Sequence, residues 1–202
     1  MRPDACIKCK SFPCKDVNKH AYIVPGIELD PAKISIVLIS EAAPPNRKDH
    51  YYAAGEPAFA QTTVQAFNDA GAQVASIRDI LQRGVYLTTA VKCAKTAYGI
   101  ATETVKECSH LLEPEIALFP NVKAFLLMGD VAIKSMNVMG SRLGEGRLIP
   151  AGSTYKIRAG KFAFRGSRLF PSYLQAGPSF NIEKSKRRMI AEDIKAALRL
   201  VK

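Results

Sequence analysis

The sequence lacks any long hydrophobic run. No stretch of its 202 residues approaches the roughly 18–20 consecutive apolar residues of a membrane-spanning helix. The charged, cysteine-bearing opening residues also lack the apolar core of a signal peptide. We therefore expect a cytoplasmic protein with no membrane partner, in a compartment where thiols stay reduced.

Internal repeats, low-complexity tracts and signs of a second domain are also absent from the sequence. The length suits one domain with a sizeable core, and an apolar content of 48% is ordinary for a soluble globular protein. We predict a single monomeric domain over residues 1–202.

Acidic residues are scarce relative to basic ones. There are 18 Asp and Glu residues against 29 Lys and Arg residues, a formal net charge of +11. Such an excess favours a polyanionic partner, and nucleic acid comes before any other. The alternative is a basic surface that contacts only solvent.

The chain has five cysteines but only one CxxC pair, Cys6 and Cys9. Cys93 and Cys108 lie far downstream with fourteen residues between them. Four thiolates can enclose a [4Fe–4S] cluster or a tetrahedral Zn²⁺. A zinc ribbon usually has a second CxxC, so the wide spacing favours the iron–sulfur cluster. Cys14 is the spare cysteine, although it could replace Cys9 as a ligand, and unpaired buried thiols are the alternative to any metal site.

The hydrophobic pattern predicts strands that alternate with helices. Short apolar, β-branched runs predict buried strands, and longer periodic stretches predict helices. The predicted strands are residues 33–39, 85–91 and 122–128, and the predicted helices are 60–83, 103–119, 131–139 and a basic amphipathic helix from 182. This alternation indicates an α/β fold, a three-layer sandwich around a mainly parallel sheet.

Several details of these elements are also predicted. Gly71 weakens the middle of the helix 60–83, and Pro114 is expected to kink or divide the helix 103–119. Residues 154–170 predict a hairpin that turns at Ala159-Gly160. Because ligands of such sheets bind outside the carboxyl ends of the strands, segments 40–45, 88–92 and 170–172 are predicted to line the site.

The order of short motifs along nearly the whole chain resembles the iron–sulfur uracil-DNA glycosylases, the group usually called family 4. The CxxC at Cys6 is followed by Ser-Glu-Ala-Ala-Pro from Ser40, which is similar to the family's GEAPG loop. The segment that starts at Gly55, Gly-Glu-Pro-Ala-Phe, is similar to the family's G-x-PF motif. The segment that ends at Cys93, Thr-Ala-Val-Lys-Cys, is similar to N-V-V-K-C, and the segment that starts at Phe170, Phe-Pro-Ser, is similar to H-P-S. Each motif is weak alone, but their order and spacing are specific. The resemblance implies a uracil-DNA glycosylase-like sandwich.

The resemblance implies a role for each matched residue. Glu41 would position the water that attacks the sugar C1′, and Phe59 would stack on a flipped-out base. Ala42 and Ser172 would lie against that base. Cys6, Cys9, Cys93 and Cys108 would bind a [4Fe–4S] cluster, and the N-terminal segment 1–20 would form part of this metal site.

Two matched positions depart from the family pattern. Thr89 stands where the family has an Asn that reads the uracil edge, and its hydroxyl offers less reach and fewer hydrogen bonds. Phe170 stands where the family has a His that stabilises the departing base, a donor worth on the order of 3 kcal/mol in comparable sites. His50, beside Tyr51 and Tyr52, could replace it and is our second catalytic candidate, although an exposed loop residue is the simpler interpretation.

Arginines near glycine-rich loops suit contacts with DNA phosphates, and solvated loop charges are the alternative. The residues concerned are Arg142, Arg147, Arg165 and Arg168. Non-functional interpretations exist for two further residues: Glu41 could be an ordinary loop carboxylate, and Phe59 could be a core residue.

Three functions fit the sequence. The first is a base-excision repair enzyme that hydrolyses the N-glycosidic bond of a flipped deaminated base, uracil or a related one, in single- or double-stranded DNA. The second is a weakly active or inactive nucleic-acid-binding protein of the same fold, and the third is a glycosylase for another base or for RNA. Glu41 favours an enzyme, whereas Thr89 and Phe170 favour the binding protein.

Overall fold

Four parallel strands form the centre of a six-stranded sheet in the computed structural model, which describes residues 1–201. Short antiparallel strands flank them, and the spatial order is β1-β3-β2-β4-β6-β5. The strands are β1 (Val17–Asn18), β2 (Ile36–Ala43), β3 (Val85–Lys95), β4 (Ala124–Met128), β5 (Phe162–Phe164) and β6 (Ser167–Ser172). The predicted single domain ends at Lys202, which lies outside the described residues.

Helices cover both faces of the sheet. They are α1 (Pro3–Cys6), α2 (Ala58–Asp69), α3 (Ile77–Gln82), α4 (Thr102–Ile116), α5 (Asp130–Arg142), α6 (Thr154–Ile157) and α7 (Lys184–Leu200). Helices α2, α3 and α7 pack on one face, and α4 and α5 pack on the other. The predicted three-layer α/β sandwich is confirmed. Within residues 1–201, no helix combines the length and the apolar content needed to cross a bilayer.

The central strands are apolar on both faces because both faces are covered. Ile36 and Leu38 of β2 point into the core under α2 and α7, while Val37 and Ile39 point into the core under α4 and α5. Strands buried on both faces show continuous hydrophobic runs instead of alternation, and this made them recognisable in the sequence.

The stretch 60–83 forms two helices where one was predicted. Gly71 has a φ of +84°, a left-handed conformation that ends α2. A capping box then starts α3, in which the Ser76 side chain accepts the N–H of Asp79 and the Asp79 carboxylate accepts the N–H of Ser76.

Two further predictions about local structure are wrong. Pro114 does not divide helix α4, which ends only two residues later, at Ile116. The hairpin turns at Arg165-Gly166, whose φ angles are +48° and +80°, and not at residues 159–160. Two consecutive positive φ angles match the twist of a tight hairpin turn.

Candidate active site and cysteine group

The predicted ligand-binding segments meet at the carboxyl edge of the sheet. Ser40 of β2 pairs with Thr89 of β3, and Ser172 of β6 pairs with Met128 of β4. Glu41 follows Ser40 at this edge. Parallel strands thus bring together the three segments that the sequence separates widely.

The Glu41 carboxylate lies over the N-terminus of α5. Its Oε1 accepts the backbone N–H of Val131 at 3.5 Å. Burial raises the pKa of Glu41, although the amides of α5 oppose that effect. Gly129 permits this approach, because a Cβ at its position would lie 2.6 Å from Glu41 Oε1, and its φ of +100° also favours glycine. A helix N-terminus favours negative charge, so α5 stabilises the Glu41 carboxylate although it forms no ion pair within residues 1–201.

Tyr51 is the centre of a buried polar and aromatic group beside this edge, which we call the Tyr51 group. Its hydroxyl donates to Ser40 Oγ at 2.7 Å and accepts from Gln175 Nε2 at 3.0 Å. Its ring lies 5.4 Å from the ring of Phe59 and 5.3 Å from that of His50. Burial raises the pKa of Tyr51, so its hydroxyl stays a donor at neutral pH. The structure therefore brings His50 and Phe59 together.

His50 is not an exposed loop residue. Only 3% of its surface is exposed. Burial lowers the pKa of His50 to about 3, and the positive charges of Lys92 and Arg47 add to this effect. The imidazole is therefore neutral at pH 7. Its Nε2 has no hydrogen-bond partner among residues 1–201.

Thr89 is also buried, and its Oγ1 likewise has no partner among the described residues. Phe170 lies two residues before the end of β6 and is only partly buried, with the Arg168 guanidinium 5.1 Å from its ring. The aromatic ring at position 170 therefore packs along the strand, set back from its end.

Two residues predicted to contact the base are engaged elsewhere. The Ser172 hydroxyl donates to Asp193 Oδ2 at 2.6 Å, and Arg158 holds the same carboxylate from the other side. Ala42 packs with Cys93 and Cys108. The structure uses Ser172 to fix α7 and Ala42 to fill the core near the cysteines.

The four arginines predicted to contact DNA do not converge on the carboxyl edge. Arg168, the second residue of β6, pairs with Ala124 at the amino end of the sheet, and Arg165 occupies the adjacent hairpin turn. Arg142 ends α5, which leads away from the carboxyl edge for about 20 Å. The partners of these side chains are protein groups: the Gly160 and Phe162 carbonyls for Arg168, Glu145 for Arg165, Glu113 for Arg142 and the Ile149 carbonyl for Arg147.

Four cysteines line one small cavity between the N-terminal segment, β3 and α4. They are Cys9, Cys14, Cys93 and Cys108. Burial raises the pKa of Cys93 to about 12 and that of Cys108 to about 11, and neighbouring cysteines contribute to both shifts. Cys6 is exposed in α1 and does not line the cavity. Of the four cysteines predicted as ligands, the cavity thus brings together Cys9, Cys93 and Cys108, and Cys14 joins them where Cys6 was expected.

A buried ion pair connects the cysteine cavity with the site strand. Lys92 lines the cavity, is fully buried and pairs with Glu115 of α4. Its Nζ also donates to the Thr89 carbonyl at 2.5 Å and to Thr88 Oγ1 at 2.8 Å. The Glu115 carboxylate accepts further hydrogen bonds from Tyr86 and Thr88, both 2.8 Å long. Burying an ion pair costs desolvation free energy, and these hydrogen bonds offset that cost. The resulting network connects β3 with α4.

Sequence reasoning missed Gln175 and the central role of Tyr51. Gln175 follows Ser172 by three residues, so its place beyond a strand end was a usable signal. The bond between Gln175 and Tyr51 joins residues 124 positions apart, and no local pattern predicts it.

Comparison with known proteins agrees with this geometry. The sequence model of the uracil DNA glycosylase superfamily matches residues 28–196, which include Glu41, the Tyr51 group and Thr89. A type-5 uracil-DNA glycosylase of Thermus thermophilus is 25% identical over 122 residues, which cover 60% of this chain and 53% of that relative. The match thus spans about half the length of this curated relative, which is of type 5 and not of family 4. The chain belongs to the uracil DNA glycosylase superfamily.

Proposed function

We propose that this chain is a DNA glycosylase that hydrolyses the N-glycosidic bond of a flipped-out deaminated base, uracil or a close relative. The superfamily match supports a glycosylase-like function. The observation that carries the proposal for this chain is Glu41, a partly buried carboxylate fixed at the carboxyl edge by the N-terminus of α5. The Tyr51 group, which bonds Ser40, the residue before Glu41, offers aromatic rings and buried polar atoms.

Glu41 would orient the attacking water and balance positive charge on the sugar. Burial raises the pKa of its carboxyl group, and a base is more effective when its pKa lies nearer the working pH. The amides of α5 hold the carboxylate in place, so little reorganisation is needed during the reaction.

His50 would stabilise the departing base in place of the histidine that Phe170 replaces. A buried neutral imidazole with a proton on Nε2 donates a hydrogen bond to a developing anion without carrying charge itself. Tyr51 and Tyr52 pack beside its ring at 5.3 and 6.1 Å and restrict its orientation.

A [4Fe–4S] cluster is the cofactor that the four cavity cysteines suit best. Four thiolates are the usual ligands of such a cluster, and the sequence has no second CxxC of the kind that zinc ribbons use. Among residues 1–201, no group of three or more His, Cys, Asp and Glu side chains is arranged to hold a metal ion, so the proposal rests on the shared cavity and the cysteine spacing. Cys9, Cys14, Cys93 and Cys108 would hold the cluster, which would supply a cross-link between the N-terminal segment, β3 and α4.

The second candidate function is a DNA-binding protein that releases no base. Thr89 and Phe170 favour it, because neither side chain supplies the hydrogen bonds of the family's Asn and His. The charge of +11 suits a DNA partner in both cases.

Incubation with defined oligonucleotides separates the two candidates. Single-stranded and duplex DNA carrying uracil, hypoxanthine or xanthine would be treated with the protein and then with alkali, which cleaves at abasic sites. A glycosylase yields strand cleavage at one or more of these bases and none at the matched undamaged base. Tight binding without cleavage at any of them would assign the chain to the DNA-binding proteins.

A further inference from the structure

Three buried side chains at the Tyr51 group each keep one polar atom without a partner among residues 1–201. The atoms are His50 Nε2, Thr89 Oγ1 and Gln175 Oε1. Their residues are 3%, 1% and 0% exposed. His50 and Gln175 both contact Tyr51, and Thr89 pairs in the sheet with Ser40, whose hydroxyl Tyr51 bonds. Most buried polar atoms in native proteins are paired, so three unpaired atoms linked to one side chain indicate a function.

The hydrogen bonds around Tyr51 fix the orientation of the Gln175 amide. The Ser40 hydroxyl donates to the Thr88 carbonyl, and the Tyr51 hydroxyl donates to Ser40 Oγ. With these two bonds in place, Tyr51 has used its only proton and accepts from Gln175, so the NH₂ group faces Tyr51. Thr63 Oγ1, 3.3 Å from the same nitrogen, is its second partner. Gln175 Oε1 is thereby left as a free acceptor.

Gln175 also lies next to the ring proposed to stack on the base. Gly177, two residues further on, is so near Phe59 that a Cβ there would lie 3.5 Å from the ring. The Gly177 N–H donates to Thr62 Oγ1 at 3.0 Å, which ties this loop to α2, the helix that carries Phe59. The amide and the ring are therefore held near each other.

We propose that Gln175 is the residue that reads the base, accepting the N–H that lies between two carbonyl groups in uracil and xanthine. The proposal rests on the glycosylase function proposed above. His50 and Thr89 supply hydrogen bonds to the carbonyl oxygens on either side of that N–H. The family's Asn offers a donor and an acceptor from one side chain, and here three residues share this task because Thr89 is too short.

The proposal predicts which bases are accepted. Cytosine has a lone pair where uracil has N3–H, so it would face Gln175 Oε1 with two acceptors opposed and be rejected. Hypoxanthine has the N–H but only one neighbouring carbonyl, and should bind more weakly than uracil. Sites that hydrogen-bond a substrate group discriminate strongly against analogues that lack it.

The test uses binding, so that it does not depend on base release. One single-stranded oligonucleotide carries 2′-fluoro-2′-deoxyuridine, and a second carries its N3-methyl derivative. In both probes the fluorine destabilises a cationic sugar and so protects the N-glycosidic bond from hydrolysis. Wild-type protein should bind the N3–H probe at least tenfold more tightly than the N3-methyl probe. Gln175→Met, which keeps the volume but lacks the acceptor, should bind both alike, and the exposed control Gln61→Met should keep the preference.

Equal binding of the two probes by wild-type protein, or an undiminished preference in folded Gln175→Met, would overturn the proposal. Gln175→Asn, which keeps an amide but withdraws it by one methylene, is the second variant and should lose most of the preference even where Gln175→Met does not fold. The proposed function is tested separately. Uracil release together with equal probe binding would refute only the role of Gln175, and a clear probe preference without any base release would refute only catalysis.

Discussion

Gly129→Ala should reduce base release at least about a hundredfold while leaving the protein folded. A Cβ at position 129 would lie 2.6 Å from Oε1 and 2.8 Å from Cγ of Glu41, so the Glu41 side chain must move. A displacement of about 1 Å in a positioned catalytic group can cost on the order of 10²-fold in rate. The φ of +100° adds backbone strain of roughly 1–3 kcal/mol, which lowers stability but not the chemistry.

Gly144→Ala separates these two effects. Gly144 also has a positive φ, +81°, but nothing lies within 4 Å of the position of a new Cβ. Both variants should melt a few degrees lower, since about 1 kcal/mol shifts Tm by roughly 2–4 °C in a chain of this size. Single-turnover base release, measured well below both melting temperatures, should fall only in Gly129→Ala. Equal rates in the two variants would refute the role assigned to the contact between Gly129 and Glu41.

The remaining predictions concern the cluster, pH and salt. Anaerobically purified protein should carry about four irons per chain. The variant Cys14→Ser should lose this iron, whereas Cys6→Ser should keep it. A protein that contains one zinc and no iron would contradict the cluster assignment. Because the pKa of His50 falls from 6.5 to about 3 on folding, the unfolded chain binds a proton first, and the free energy of unfolding should decrease as pH drops through this range. Denaturant titrations should show a shallower decrease in His50→Gln, and an unchanged pH dependence would exclude a buried neutral imidazole. DNA affinity should fall steeply with salt because of the +11 charge, and a flat dependence would exclude phosphate contacts.

The fold could be predicted largely because both faces of the sheet are buried. Strands β2, β3 and β4 then appear as uninterrupted apolar runs, each followed by a loop or a helix. The hairpin was placed wrongly because its turn depends on backbone angles at Arg165 and Gly166, while Ala159-Gly160 offered an equally plausible glycine. Local composition does not distinguish two such glycines.

The grouping of the cysteines could be predicted only in part, because spacing does not show which way a side chain points. The short helix α1 turns Cys6 outward, and the chain then returns so that Cys14 reaches the cavity. Contact of the four arginines with DNA stays a prediction. The glycine-rich stretch that follows Arg142 suggests an edge of the sheet, but the direction of α5 decides which edge this residue reaches.

The base-facing part of the site depended on contacts between distant segments. Glu41 and Phe59 could be chosen by their motifs; Glu41 lies at the carboxyl edge of the sheet, and Phe59 packs against Tyr51. Gln175 meets Tyr51 across 124 positions of sequence, a contact created only by the packing of the loop after β6 against α2. Residues of this kind become visible only in the folded structure.

The most direct test of the proposed activity compares wild-type protein with Glu41→Gln on a uracil-containing oligonucleotide under single-turnover conditions. The substitution keeps the shape of the side chain but removes the charge that orients water and balances the cationic sugar. We predict base release by the wild type and a rate at least about a hundredfold lower in Glu41→Gln, with DNA affinity nearly unchanged. An equally fast Glu41→Gln, or a wild type that binds this DNA and releases no uracil, would contradict the proposed mechanism.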